Sequence, residues 1–260
     1  MNSGVIDIGY LQLLLAGLLI LITIGISIKM KLGQSKNLII GAIRTFVQLL
    51  ALGFILNYVF ALQSWWIVLL VVLFMIVAAT QIAVKRVDRK IPNLWPSIFI
   101  SLFFSSVIVA LLVVEGVIQA EPWYSARHMI PISSMIIGNA MTAVALAINR
   151  LFDDLEKRKD ELDALVALGA SPFEAALPSI KHSINAGMLP TIAMMSAVGI
   201  VSIPGMMSGQ ILAGADPLAA SKYQIVVVLM QSAASALAVF AACYFSYSKS
   251  FSKEGYYIKR

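Results

Sequence analysis

"WWIVLLVVLFMIVAATQIAV", residues 65–84, runs for twenty positions without a charged side chain. An α-helix rises about 1.5 Å per residue, so a run of this length spans the roughly 30 Å of a bilayer's hydrocarbon core. The run is continuous rather than alternating, which argues against a membrane β-barrel strand. Comparable runs recur on both sides of it. Seven spanning helices are expected, at about 8–28, 38–60, 65–84, 97–117, 129–149, 184–204 and 223–246.

Composition supports the same fold class, an all-α polytopic membrane protein. Hydrophobic residues make up 60% of the 260 and charged residues only 12%, about half the share usual in a soluble domain. The mean hydropathy is +0.90. Residues 1–260 are expected to form a single membrane domain with no room for a sizeable soluble one. The opening "MNSGVIDIGYLQ" lacks a basic region, and its apolar run is too long for a cleaved signal peptide, so it is expected to be retained. The single cysteine, Cys243, excludes an intramolecular disulfide.

The formal charge of +6 is distributed as a topology signal, not as a nucleic-acid patch. The connections 29–36, 85–90 and 150–183 and the tail 249–260 hold every Lys and Arg except Arg44, Arg127 and Lys222. The positive-inside rule then places the N-terminus outside and the C-terminus inside. Trp65, Trp66, Trp95, Trp123 and Tyr124 fall near expected span ends, where amphipathic rings favour the lipid interface. Membrane lipid is the implied surroundings, and no nucleic-acid partner is expected.

Residues 150–183 are the one long connection on the basic side. In "RLFDDLEKRKDELDALVALGA" (150–170) apolar residues at 151, 155, 162, 165, 166 and 168 alternate with acids and bases, as in an amphipathic helix that continues the fifth span into water. Gly169 suits its C-terminal stop. Ser171 suits the N-cap of a second, short helix, with Pro172 at its first position and Glu174 completing a Ser-x-x-Glu capping box. Pro178 is expected to end or kink that helix. A short helix held at a membrane face is suited to transmit force to a soluble partner.

"DALVALGASPFEAALPSI" (163–180) is similar to the loop by which ABC transporter permeases dock on their ATP-hydrolysing subunit. Asp163-Ala164-Leu165 stands where that pattern has Glu-Ala-Ala, and Gly169 stands at its glycine. More of the chain resembles the FetB family of ABC permeases, associated with bacterial iron export and, in plant relatives, with aluminium tolerance. The resemblance lies in "IRTFVQLLALGFIL" (43–56), "IPISSMIIGNAMTAVAL" (130–146), "LGASPFEAALPSIKHSINAGMLPT" (168–191) and "VGIVSIPGMMSGQILAGADPLAASKYQI" (198–225). It implies a permease subunit of an ATP-driven exporter of iron or another metal species in a bacterial inner or plasma membrane. Asp163, Gly169, Ala170, Ser171, Pro172 and Glu174 would be its ATPase-coupling residues. It also implies a homodimer with two separate ATPase subunits. The chain has no Gly-x-x-x-x-Gly-Lys-Ser/Thr loop, so ATP and Mg²⁺ would bind the partner, with no cofactor bound here and no enzyme activity of the chain's own.

Candidate transport residues are Arg44, Gln48, Ser134, Asn139, Met206 and Met207. Arg44 within a span requires a partner, a cavity or a snorkelling path to the interface, and Gln48 lies one turn along the same face. Asn139, with Ser133 and Ser134 nearby, suits either helix packing or the path wall. Pro204, Gly205 and Gly209 are expected to break the sixth span, which membranes tolerate where backbone is buried or faces water. Met206 and Met207 offer thioethers, which favour Cu(I) over iron, or adaptable packing. His128 and His182 fall on opposite faces, so no metal-ligand set is assigned. An ATP-independent secondary carrier or channel for a small solute and a non-transporting membrane anchor for an ATPase are the competing functions. A carrier would call for ionisable relays within the spans, and Arg44 is the one clear charge there.

Overall fold

The computed structural model describes residues 9–62, 64–89, 91–252 and 255–258. The expected start of the first span at residue 8, and Lys90, Lys253, Lys259 and Arg260 of the charge pattern, lie outside the described residues. Among the described residues the regular structure is helical, and the sole β pairings are two isolated bridges, Val198–Ser202 and Phe251–Tyr257. Six helical stretches are long and apolar enough to cross a membrane. The protein is a polytopic all-helical membrane protein.

The chain divides into two compact units. The first contains α1 (Tyr10–Gly17), α2 (Leu19–Lys29), α3 (Ser35–Leu62) and residues 210–215. Here Ser35 Oγ donates to Ser27 Oγ at 3.2 Å, and Gly17 lets the Phe46 ring approach where a Cβ would sit 3.3 Å from Phe46 Cζ. Along α3, Val59 is the buried residue and the rest of the helix is exposed or half-exposed.

The second unit holds α4 (Trp65–Lys85), α5 (Leu94–Leu111) with a π-helical extension (Leu112–Ile118), α6 (Ala126–Lys157), α7 (Lys159–Ala167), α8 (Pro172–Ala197) and α10 (Pro217–Ser246). The short α9 (Gly205–Leu212) begins in it. Helix α6 is central, packing on α4, α5, α8 and α10. Lipid supplies no hydrophobic drive between helices, so close approach by small residues must do the work at membrane depth. Ala140, Ala143 and Ala147 of α6, Ala234, Ala238 and Ala242 of α10, and Ser97, Ser101 and Ser105 of α5 are all buried. The serines are satisfied: Ser101 and Ser105 donate to the carbonyls one turn back, each at 2.7 Å, and Ser97 donates to the Phe245 carbonyl at 3.1 Å.

Towards the basic end the core coarsens. Ile148, Leu151, Leu155 and Leu162 are fully buried there. Beyond the bilayer water restores the drive, and each such side chain contributes about 1.5–3 kcal/mol on burial.

Several expected boundaries move. The fifth span and its extension are nearly one helix: α6 runs for 32 residues, then breaks at Arg158 before α7. Pro178 does not end the helix that Ser171 caps. Helix α8 continues through Pro178 and Pro190 for 26 residues, so the expected short helix is the first turns of a long one. Pro178 is exposed, so the carbonyl four residues back, which loses its donor, lies where solvent can serve it. The expected sixth span, 184–204, ends early at Ala197 and is not among the six stretches above. Its break is the turn Val198–Pro204 with Gly199 at φ +83°. Gly205 and Gly209 lie inside α9 and do not interrupt it.

Candidate functional site

The turn between α7 and α8 forms as its residues demand. Gly169 has φ +98°, a left-handed conformation that costs other residues about 1–2 kcal/mol. Its N–H donates to the Val166 carbonyl at 3.0 Å and that of Ala170 to the Leu165 carbonyl at 3.0 Å, closing the last turn of α7. Ser171 caps α8. Its Oγ accepts from the Glu174 N–H at 3.3 Å and donates to Glu174 Oε2 at 2.7 Å, while its own N–H donates to the same Oε2 at 2.8 Å. The Ser171 hydroxyl and N–H hold the Glu174 carboxyl below its usual range. Pro172 occupies the first helical position.

Three sets of contacts hold together the end of the unit that carries this turn. Arg158, at the α6–α7 break, donates to both Glu161 oxygens at 2.9 and 2.6 Å and to Ser179 Oγ of α8 at 2.7 Å. That bidentate bond depresses the Glu161 pKa. On the α4–α5 loop, Arg89 pairs with Asp153 at 3.0 Å and with Glu156, and Asn149 joins the Arg86 carbonyl to the Asp88 N–H at 2.9 and 3.0 Å. Phe173 packs edge-to-face on Tyr244 and Tyr247, at the end of α10, with centroids 6.0 and 5.5 Å away. Asp163 is not free for a partner: its Oδ1 accepts from the Tyr257 N–H at 2.8 Å. The segments 85–89, 150–183, 247–252 and 255–258 thus meet at one end of the unit.

From this end α8 rises against α6. At Gly187 the helices nearly touch: a Cβ there would lie 2.8 Å from the Ala143 carbonyl oxygen, 2.8 Å from Ala147 Cβ and 3.2 Å from Val239 Cγ1 of α10. One turn beyond, Asn139, Thr142, Ala143, Pro190, Thr191 and Met194 line a cavity of about 80 Å³. Asn139 is thirteen residues into α6, roughly 20 Å along its axis. Its Nδ2 donates to the Met135 carbonyl at 3.2 Å and Thr142 Oγ1 donates to the Gly138 carbonyl at 3.2 Å. Both side-chain oxygens keep lone pairs to offer. Pro190, lacking an N–H, leaves the Ala186 carbonyl without its helical donor. The cavity lining carries no charged side chain, and Asn139, Thr142 and Thr191 are its polar members.

The other candidates are dispersed. Ser134 Oγ donates to the Pro131 carbonyl at 2.7 Å on an exposed face and does not line the Asn139 cavity. Met206 and Met207 separate. Met206 lines a cavity of about 60 Å³ with His128, Met135 and Met230, whereas Met207 faces a groove of about 380 Å³ with Ser221 and Gln224. Among the described residues no three His, Cys, Asp or Glu side chains gather as a metal site. His182 lies instead beside Asp154, at 3.6 Å. Arg44 and Gln48 are exposed on α3 in the first unit. Sequence reasoning missed Gly187, Thr191, Arg158 and Tyr257. Gly187 and Thr191 stand within "NAGMLPT" (185–191), where the small residues and the proline were a usable signal.

The model of the family described as "Uncharacterised protein family (UPF0014)" matches residues 10–251. The chain belongs to that family. Among its UPF0014 relatives is the "Probable iron export permease protein FetB" of Escherichia coli, 37% identical over 92% of this chain and 90% of the relative. The "UPF0014 membrane protein YjkA" of Bacillus subtilis is 35% identical over 88% of this chain and 90% of its own length. "Protein ALUMINUM SENSITIVE 3" of Arabidopsis thaliana is 30% identical over 90% of this chain and 84% of its length. No solved structure matches the UPF0014 chain significantly. Family and helices together make it a multi-pass membrane protein.

Proposed function

We propose that the chain is the membrane permease subunit of an ATP-driven exporter that moves iron or another metal species out of the cytoplasm. The printed name of the Escherichia coli relative supports permease and cargo. The observation that carries the coupling is the continuity of α8. Its capped first turn stands beside Gly169 at the basic end, and the same helix passes the Gly187 contact to reach the Asn139 cavity. A helix tightly seated at one point can act as a lever, so movement of the capped turn displaces Pro190 and Thr191 on the far side. The capped turn receives a separate ATPase subunit, which binds ATP and Mg²⁺. Two copies of the chain work with two ATPases, each copy supplying one turn. Asn139, Thr142 and Thr191 line the path.

Flux in proteoliposomes containing the chain and a candidate ABC ATPase tests this, with ATP on the side of the α7–α8 turn and Fe²⁺ or Fe³⁺ chelates as cargo. ATP-dependent movement of iron away from that side is expected. Stimulated ATP hydrolysis without iron movement would remove the cargo and keep the coupling. Transport sustained by an ion gradient with ATP irrelevant would make the protein a carrier.

A further inference from the structure

The segment following α10 does not leave the molecule. After a single 3₁₀ turn (Tyr247–Ser250) it folds back on itself, with the Ser252 N–H donating to the Tyr256 carbonyl at 2.7 Å and the Ile258 N–H to the Ser250 carbonyl at 2.7 Å. Phe251 and Tyr257 are buried in the same core as Leu155, Leu162 and Ala175. Gly255, at φ +89°, lies flat on the turn: a Cβ there would sit 3.4 Å from both Val166 Cγ1 of α7 and Pro172 Cγ of α8. Asp163 then clamps the Tyr257 N–H at 2.8 Å. Burial and the Glu156 carboxylate raise the Tyr257 phenol pKa, with Arg89 opposing.

Among the described residues here, three large side chains with apolar bodies stay exposed. Leu168 is 85% exposed, Tyr256 48% and Ile258 36%, around the turn that Gly255 covers. Leu168 lies in the turn and Tyr256 follows Gly255, which packs on it, and exposed apolar surface at a structured site is where a protein partner binds. We propose that residues 250–252 and 255–258 are a built part of the surface that receives the soluble ATPase, with Asp163 as the residue that positions them. The surface is continuous with the capped turn, so one partner meets both, and the proposal rests on the coupling reading above. Asp163 therefore acts through the tail backbone and not by touching the ATPase.

The test uses the full chain in nanodiscs and a candidate ABC ATPase subunit. Amide exchange at Tyr257 is read on the permease alone, and ATPase affinity by surface-immobilised binding. Asp163→Leu should speed Tyr257 exchange and weaken the ATPase about tenfold, the effect of losing a hydrogen bond to a charged group. Asp163→Asn keeps an acceptor and should restore both. The double substitution Tyr256→Ala, Ile258→Ala should weaken binding similarly while leaving Tyr257 exchange slow, a split that a merely structural tail would not produce. Wild-type affinity in the double variant, or in Asp163→Leu once Tyr257 is released, overturns the proposal and leaves the coupling reading standing. Unchanged Tyr257 exchange in Asp163→Leu overturns the clamp. No ATPase binding by the wild type overturns the coupling reading itself, and the surface assignment with it.

Discussion

Helices α3 and α6 are similar in length, 28 and 32 residues, yet they solve the membrane differently. In α3 the polar residues Arg44 and Gln48 are exposed and Val59 is buried. In α6 a whole face is buried, from Met129 to Leu155. One difference is side-chain size at the closest helix contacts. The buried face of α6 presents Ala140, Ala143 and Ala147 to its neighbours, and small residues admit close backbones where lipid gives no hydrophobic drive. The corresponding stretch of α3, "VQLLALGFIL" (47–56), presents mainly bulky residues.

The largest expected break in this comparison is at glycine. Gly187→Leu drives a side chain into the Ala143 carbonyl and Ala147, so we expect no monodisperse protein by size-exclusion chromatography. Gly41→Leu in α3, where nothing lies within 4 Å of the added Cβ, should leave yield and melting temperature unchanged. If both variants fold, the α6–α8 contact is not the fulcrum described.

Next in size is a pair of leucine truncations. Leu155→Ala should cost about 2–5 kcal/mol, because the buried site cannot fully collapse. Leu49→Ala, exposed on α3, should stay within about 0.5 kcal/mol. Unfolding of the purified protein in mixed detergent compares the two directly.

A smaller effect belongs to the turn. Gly169→Val meets no neighbour within 4 Å but must adopt φ +98°, a cost of about 1–2 kcal/mol. The variant should still reach the membrane, with its stimulation of ATP hydrolysis reduced. Full coupling in that variant would show that the turn's conformation does not matter.

The smallest effect is the cap. Ser171→Ala should cost about 1 kcal/mol of local helix stability and return the Glu174 pKa towards its usual range, readable by infrared titration of labelled glutamate. The sign follows from a depressed folded-state pKa. The cap is fully present above the ordinary carboxylate range and is lost as pH falls through the lower folded value. The protection of amides in the first turn of α8, taken relative to their intrinsic exchange rates, should therefore fall at acidic pH, and fall less in Ser171→Ala.

The capped turn was legible because every element of it is local. A left-handed glycine, a serine cap and its glutamate act within a few residues. Pro178 was misleading for the opposite reason. Its local effect is to break a helix, but the buried faces on either side, Ala175, Ala176, Ser179 and Ile180, keep α8 continuous. The candidate path was half legible: Asn139 is in the cavity, but its partners Thr142 and Thr191 are ordinary residues until α8 crosses α6. Met206 and Met207 are adjacent in sequence and still face different cavities, because successive helical residues point about 100° apart.

The sequence by itself determined the membrane class, most of the span positions and the α7–α8 turn. Run length against bilayer thickness, charge placement and capping chemistry all operate over short range. The tertiary structure decided where α8 ends, which polar residues share a cavity, and that Asp163 holds residue 257. Those facts depend on which small residues let helices approach and on a hydrogen bond between positions 94 residues apart, a distance over which no local pattern carries information.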